Sequence, residues 1–186
     1  MKRALDLIFA LGAAMIFLLP AIAVALLVRV TSPGPTLYWS NRVGRRNVIF
    51  RMPKFRTMRV DTPAVATHLL RDPTTYLTPI GAVLRRTSLD EVPQLWSILA
   101  GDMSVVGPRP ALFNQHDLIA ARTAVGVDAL IPGLTGWAQI NGRDELSIPE
   151  KVRLDAEYAQ RQSTSFDLRI MALTVLRAVT GRGVAH

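Results

Sequence analysis

Leu7 to Val28 is a run of 22 residues without a charge, long enough to cross a bilayer as a straight helix. Lys2 and Arg3 stand before it. Arg29, Arg42, Arg45, Arg46, Arg51, Lys54, Arg56 and Arg59 follow it. Cationic flanks favour the cytoplasmic side of a membrane, so both ends of this segment are expected on one side. Pro20 stands near the middle, where it removes one helical hydrogen bond and bends the axis. The pattern therefore predicts a re-entrant membrane helix over residues 1–30 that turns back at Leu19-Pro20. A signal peptide fits less well, because the run is long, ends at Arg29 and has no clear small-x-small cleavage site.

The periods then change. Ser32-Pro33-Gly34-Pro35 is a turn, and Thr36 to Ser40 with Asn47 to Met52 reads as a small β-hairpin around Gly44, basic at its tip. Tyr38 and Trp39 suit either the headgroup level or a small core. Asp61 to Thr78, broken by Pro63 and Pro73, reads as a mobile loop. Val92, Leu95, Trp96 and Leu99 recur at i, i+3, i+4, i+7 and predict an amphipathic helix from about Leu89 to Leu99. Gly101 to Ser104 turns the chain, with Asp102 either a second-layer carboxylate or a turn residue, and Ala111 to Ala124 is a weak helix. Pro132 to Trp137 is too rich in Gly and Pro for regular structure, and Asn141-Gly142-Arg143 is a tight turn presenting a guanidinium. Ser147-x-x-Glu150 is a capping box opening a helix to about Arg161, and Ser165 opens another, Phe166 to Val179, closed by Gly181. The uncharged core of that last helix, Ile170 to Leu176, is too short to span a membrane, so it is a core helix or an interfacial one. The fold class expected is α+β, mainly helical, in one continuous unit beyond residue 30.

Composition narrows the functions. Against 14 Asp+Glu the chain carries 22 Lys+Arg, a net charge of +8, which suits nucleic acid, anionic lipid or phosphorylated substrates. An apolar content of 49% favours lipid over nucleic acid. With no cysteine there can be no disulfide and no thiolate metal site. His68, His116 and His186 are scattered, and the chain has neither a Walker A loop nor a GxGxxG.

Candidate chemistry gathers between Leu84 and Pro110, LRRTSLDEVPQLWSILAGDMSVVGPRP. Asp90 and Glu91 fall where the amphipathic helix starts, with Pro93 in its first turn. Arg85 and Arg86 precede them, and Arg109 follows in a loop stiffened by Pro108 and Pro110. Ser88-x-x-Glu91 alone is an ordinary capping box. Two carboxylates beside several guanidinium groups at a helix start instead describe an anion site with a nucleophile in it. Lys54 and Arg56 in KFRTM add two cations about that site, although a basic loop on anionic lipid would read the same way.

The run SLDEVPQLWSILAGDMSVVGPRP, with KFRTM at Lys54 to Met58 and PGLTGWAQINGR at Pro132 to Arg143, closely resembles the bacterial sugar transferases. These are monotopic phosphoglycosyl transferases, and the likeness covers nearly the whole chain. It implies transfer of a phosphosugar from a UDP-sugar to a polyprenol phosphate, undecaprenyl phosphate in most bacteria, with release of UMP. That is the first membrane step in making surface polysaccharides and glycoconjugates. By resemblance Asp90 is the nucleophile of a covalent, two-step route, and Arg143 belongs to the nucleotide-sugar site. Arg85 and Arg109 are further candidates for phosphate and nucleotide contacts. The implied cofactor is Mg²⁺, with Asp90 and Glu91 as its protein ligands, since Mg²⁺ takes oxygen donors and few protein contacts. The family's re-entrant helix is often broken at a Ser-Pro pair; here Leu19 replaces the serine. Residues 31–186 would form the catalytic domain, facing the cytoplasm from the inner membrane, and a homodimer is an arrangement the sequence allows. A non-catalytic basic scaffold of a polysaccharide assembly is the alternative, and it would tolerate loss of Asp90.

Overall fold

The computed structural model describes residues 1–63, 72–142 and 145–180. Helix α1 (Lys2–Thr31) is 30 residues long and continues through Pro20, a length of about 45 Å at 1.5 Å per residue. It is apolar and long enough to cross a membrane. Its two limbs both seat on the rest of the chain. Ala10 packs with Phe50, Met52, Ile98 and Met103, whereas Val24 and Val28 pack with Phe55 and Leu84. Between them every residue from Met15 to Pro20 is exposed, Leu19 at 76%.

Strands β1 (Leu37–Val43) and β2 (Ile49–Phe55) form the expected antiparallel hairpin, with Leu37 opposite Phe55 and Val43 opposite Ile49. Each strand starts one or two residues later and ends three residues later than the range the sequence suggests, with the ladder running unbroken from Leu37–Phe55 to Val43–Ile49. Arg46 and Asn47 take positive φ at the tip, which Asn accepts more readily than most residues. Phe50 and Met52 point to the core; Tyr38 and Trp39 are exposed, and Arg51 lies 5.2 Å over the Trp39 ring.

Helix α2 (Gly81–Thr87) was not legible in the sequence. It starts where the chain grazes Thr57: a Cβ on Gly81 would lie 2.2 Å from the Thr57 carbonyl oxygen. A 3-10 turn, Leu89–Gln94, follows and runs into helix α3 (Leu95–Ala100). Strand β3 (Ser104–Val106) then pairs in parallel with β4 (Gly133–Thr135). This corrects the expectation that Pro132 to Trp137 lacks regular structure. Gly133 is there for contact rather than for flexibility, since a Cβ on it would meet the Gly107 nitrogen at 2.1 Å.

Helices α4 (His116–Ala124), α5 (Trp137–Ile140), α6 (Ile148–Arg161) and α7 (Thr164–Thr180) close the molecule. Helix α4 begins later than Ala111, because Ala111 and Leu112 instead pair with the end of β1. The capping box at α6 is formed as read, both reciprocal bonds between Ser147 and Glu150 present. Helix α7 starts a residue or two early, and Ser163 accepts from the Phe166 N–H at 3.3 Å in place of the Ser165 cap. Gly181 lies outside the described residues. Phe166 and Ile170 on α7 are core residues with Val106, Ile140 and Tyr158, while Leu168, Val175 and Leu176 are exposed. The last helix is therefore a core helix along one face, with an apolar outer face left exposed. The middle of the proposed mobile loop, residues 64–71, also lies outside the described residues; its later part is a 3-10 turn, Pro73–Tyr76, capped by Asp72.

Candidate active site

Asp90 and Glu91 sit in the 3-10 turn, against β2. Ser88 precedes them at φ 55° and makes no side-chain cap, so the Ser88–Glu91 capping box is not formed. Ser88 is at once the C-cap of α2, and its N–H bonds the carbonyls of Leu84 and Arg85. With Ser88 in that left-handed conformation only a backbone bond remains, from the Glu91 N–H to the Ser88 carbonyl at 3.1 Å. The Glu91 carboxylate is thereby available to other groups. Lys54 on β2 donates to Glu91 Oε1 at 2.7 Å, and the Arg109 guanidinium stands 3.6 Å from the same oxygen.

The 3-10 geometry also shifts the helix face. Three residues per turn rather than 3.6 advances the side chains by about 20° more at each residue. Trp96, read as part of the inward stripe, is 63% exposed, and Gln94, Ser97 and Ile98 are buried instead. Leu95 and Leu99 stay partly buried against the core.

Asp90 is 7% exposed. Burial pushes its carboxyl pKa up; Lys54 and Arg85 pull it down, Glu91 adds to the rise, and the net direction is upward. Burial likewise lowers the Lys54 ammonium, against the pull of Glu91. Arg85 donates from Nε to Thr57 Oγ1 at 3.0 Å, close enough for its charge to act on Asp90. So Lys54, Arg85 and Arg109, from three separate elements, converge on one carboxylate pair.

Arg56 is not among them. It is 4% exposed and donates to the carbonyls of Ser32 (2.8 Å) and Pro33, latching the turn after α1. The strand ends at Phe55, so the alternation that would place residues 54 and 56 on one face no longer applies. Arg86 is exposed, Asp102 is an exposed turn residue, and Arg143 lies outside the described residues.

Two contact sets escaped the sequence reading. The first ties α1 to the site's scaffold. Lys2 Nζ bonds Asp167 Oδ2 at 2.6 Å and the Val106 carbonyl at 2.9 Å, while buried Asp6 accepts from Ser104 Oγ and the Val105 N–H, both at 2.9 Å. The second is a buried ion pair between α4 and α6, in which Arg122 meets Asp155 Oδ2 at 2.6 Å. Both join residues far apart in the chain, so no local period reports them.

Among the described residues there is no cluster of three or more His, Cys, Asp or Glu that could hold a metal. The donor set on offer is the adjacent pair Asp90 and Glu91. That set fits Mg²⁺, which binds through one or two carboxylates and keeps the rest of its shell for water and phosphate.

The family model described as bacterial sugar transferase matches residues 1–181. The chain is 38% identical over 187 residues to a protein of Bacillus subtilis named uncharacterized sugar transferase EpsL, covering 99% of this chain and 90% of that one. It is 35% identical over 197 residues to the exopolysaccharide production protein ExoY of Rhizobium meliloti, covering 98% and 87%. It is 37% identical over 191 residues to the UDP-glucose:undecaprenyl-phosphate glucose-1-phosphate transferase of Escherichia coli. There the match takes 98% of this chain but 41% of the relative, so the chain spans less than half of that longer protein.

Proposed function

The chain belongs to the bacterial sugar transferase family, and from that premise we propose that it moves a phosphosugar from a UDP-sugar to undecaprenyl phosphate, releasing UMP. The observation that carries this reading is the convergence of Lys54, Arg85 and Arg109 on the Asp90–Glu91 pair. A diphosphate brings two or more negative charges to such a site, and a buried carboxylate supplies the nucleophile. Asp90 attacks the sugar-bearing phosphorus: a carboxyl O–P bond forms, the bond to the UMP oxygen breaks, and UMP leaves with that electron pair. An oxygen of the lipid phosphate then attacks the same phosphorus and frees the carboxylate. Lys54 and Arg109, both already on Glu91, hold the entering phosphates. Asp90 and Glu91 would hold Mg²⁺, which neutralises phosphate charge.

The two-limbed seating of α1 supports a re-entrant, monotopic anchor. A helix that crossed the bilayer would carry one limb to the far side, away from a body to which both limbs are bonded. With the helical stretch between the limbs exposed and apolar from Met15 to Leu19, the molecule dips into the leaflet whose phosphates it uses. On this reading the catalytic body faces the cytoplasm.

The test is direct. Purified protein in lipid nanodiscs, given a panel of UDP-sugars with undecaprenyl phosphate, should release UMP with one donor or a few. No release with any donor, from protein shown to be folded, returns the scaffold alternative.

A further inference from the structure

The Arg109 guanidinium can meet a phosphate reproducibly only if its backbone is fixed, and the segment from Gly107 to Leu112 has an unusual way of being fixed. Pro108 and Pro110 have no N–H, so the segment is held largely through its carbonyls. Pro108 O accepts from the Gly133 N–H at 2.9 Å and Ala111 O from the Val43 N–H at 2.9 Å. Pro110 O accepts from Arg42 Nη1 at 3.2 Å. The carbonyl of Arg109 itself accepts from Arg122 Nη1 at 2.8 Å.

Arg122 reaches it from the last turn of α4, and the other arm of its fork is occupied. Nε and Nη2 donate to Asp155 Oδ2 on α6, at 2.9 and 2.6 Å. Asp155 is 1% exposed, and burial pushes its pKa up while Arg122 opposes the rise. A buried ion pair of this kind adds little net stability over apolar packing, so its presence calls for another account. The account lies in its third bond. A guanidinium presents donors in a rigid plane, so one side chain can face a carboxylate on one edge and a carbonyl on the other. Lysine, with a single nitrogen, keeps the charge but not that geometry.

We propose that Arg122, oriented by Asp155, is a positioning residue that fixes the Arg109 backbone and so aims the Arg109 guanidinium at a phosphate of the nucleotide-sugar. This rests on the assignment of Arg109 to substrate binding. Arg122 touches no substrate. Its effect passes through one carbonyl.

The experiment is a double-mutant cycle on UMP release in nanodiscs, using the UDP-sugar that supports turnover. Arg109→Ala should raise KM for the UDP-sugar by roughly tenfold or more. Arg122→Lys should raise that KM by roughly threefold to tenfold, with kcat within about twofold and the thermal midpoint within a few degrees. In the Arg109→Ala background Arg122→Lys should add nothing to KM, because the group it aims is gone. Asp155→Asn, which keeps one acceptor oxygen, should shift KM in the same direction and serves if the lysine variant does not fold. A KM effect of Arg122→Lys that persists in full without Arg109, or no KM effect of either variant, overturns the positioning role alone. An unchanged KM in Arg109→Ala overturns the Arg109 assignment instead, and the positioning role with it.

Discussion

Asp90 carries opposing demands. As a nucleophile it must be ionised, yet burial raises its pKa and the nearby cations only partly offset that. Burial works against the ionised carboxylate, which Lys54 and Arg85 favour. Activity should therefore rise with pH through the Asp90 titration, with an acid limb displaced above the ordinary carboxylate range. The stability consequence has the opposite sense. A group whose pKa is raised by folding stabilises the folded state when protonated, and that stability is lost as pH rises through the folded pKa. At neutral pH Asp90→Asn should thus leave the thermal midpoint unchanged or higher, while turnover falls about ten-thousandfold or more. A large loss of stability in Asp90→Asn would contradict this account of the site. The covalent route adds its own demand: UDP-sugar without lipid acceptor should release up to one equivalent of UMP, with a phosphosugar adduct on the peptide bearing Asp90. If rapid acid quenching traps no adduct and UMP appears only with lipid present, transfer is direct. At this scale Asp90, Glu91, Lys54, Arg85 and Arg109 were all legible, because charge next to a short apolar stripe is a local signal. Arg122 and Asp155 were not, since each is unremarkable in its own helix and acquires meaning across 33 residues of chain.

Elements were legible in proportion to their length. The apolar run of α1, the hairpin and the capped α6 all carry a repeat long enough to read. Strands of three residues carry none, so β3 and β4 appear only where Gly107 and Gly133 let two backbones meet. In the inward stripe Val92, Leu95 and Leu99 do pack against the core, but Trp96 faces out for a related reason: the stripe counts at one helical pitch across a turn built on another. Pro20 is the element-scale feature with a measurable consequence. Cysteines introduced near Met1 and near His186 of this cysteine-free chain should both resist a membrane-impermeant thiol reagent in intact cells. Pro20→Leu restores one backbone hydrogen bond and straightens the helix, so a fraction of molecules should then label at one end. Labelling of the unmodified topology at either end rules out the re-entrant anchor.

For the molecule as a whole, charge and lipid act together. On the proposed reading, a net charge of +8 together with an exposed apolar helix draws the molecule to an anionic leaflet, and the same cations draw the diphosphate. Chelation by EDTA should abolish UMP release and Mg²⁺ should restore it, and Glu91→Gln should raise the Mg²⁺ concentration needed for half-maximal rate by roughly tenfold. Full activity in chelator would remove Mg²⁺ from the proposal. The bonds that clamp α1 have one more consequence, and it concerns time. Lys2 and Asp6 are made well before their partners, since Asp167 and Ser104 follow 165 and 98 residues later in the chain. On the proposed reading, α1 meets the bilayer before the groups that clamp Lys2 and Asp6 have been made. Cationic flanks and a proline are the local features that can direct α1 at that moment, and on the proposed reading the finished body preserves a choice it arrived too late to make.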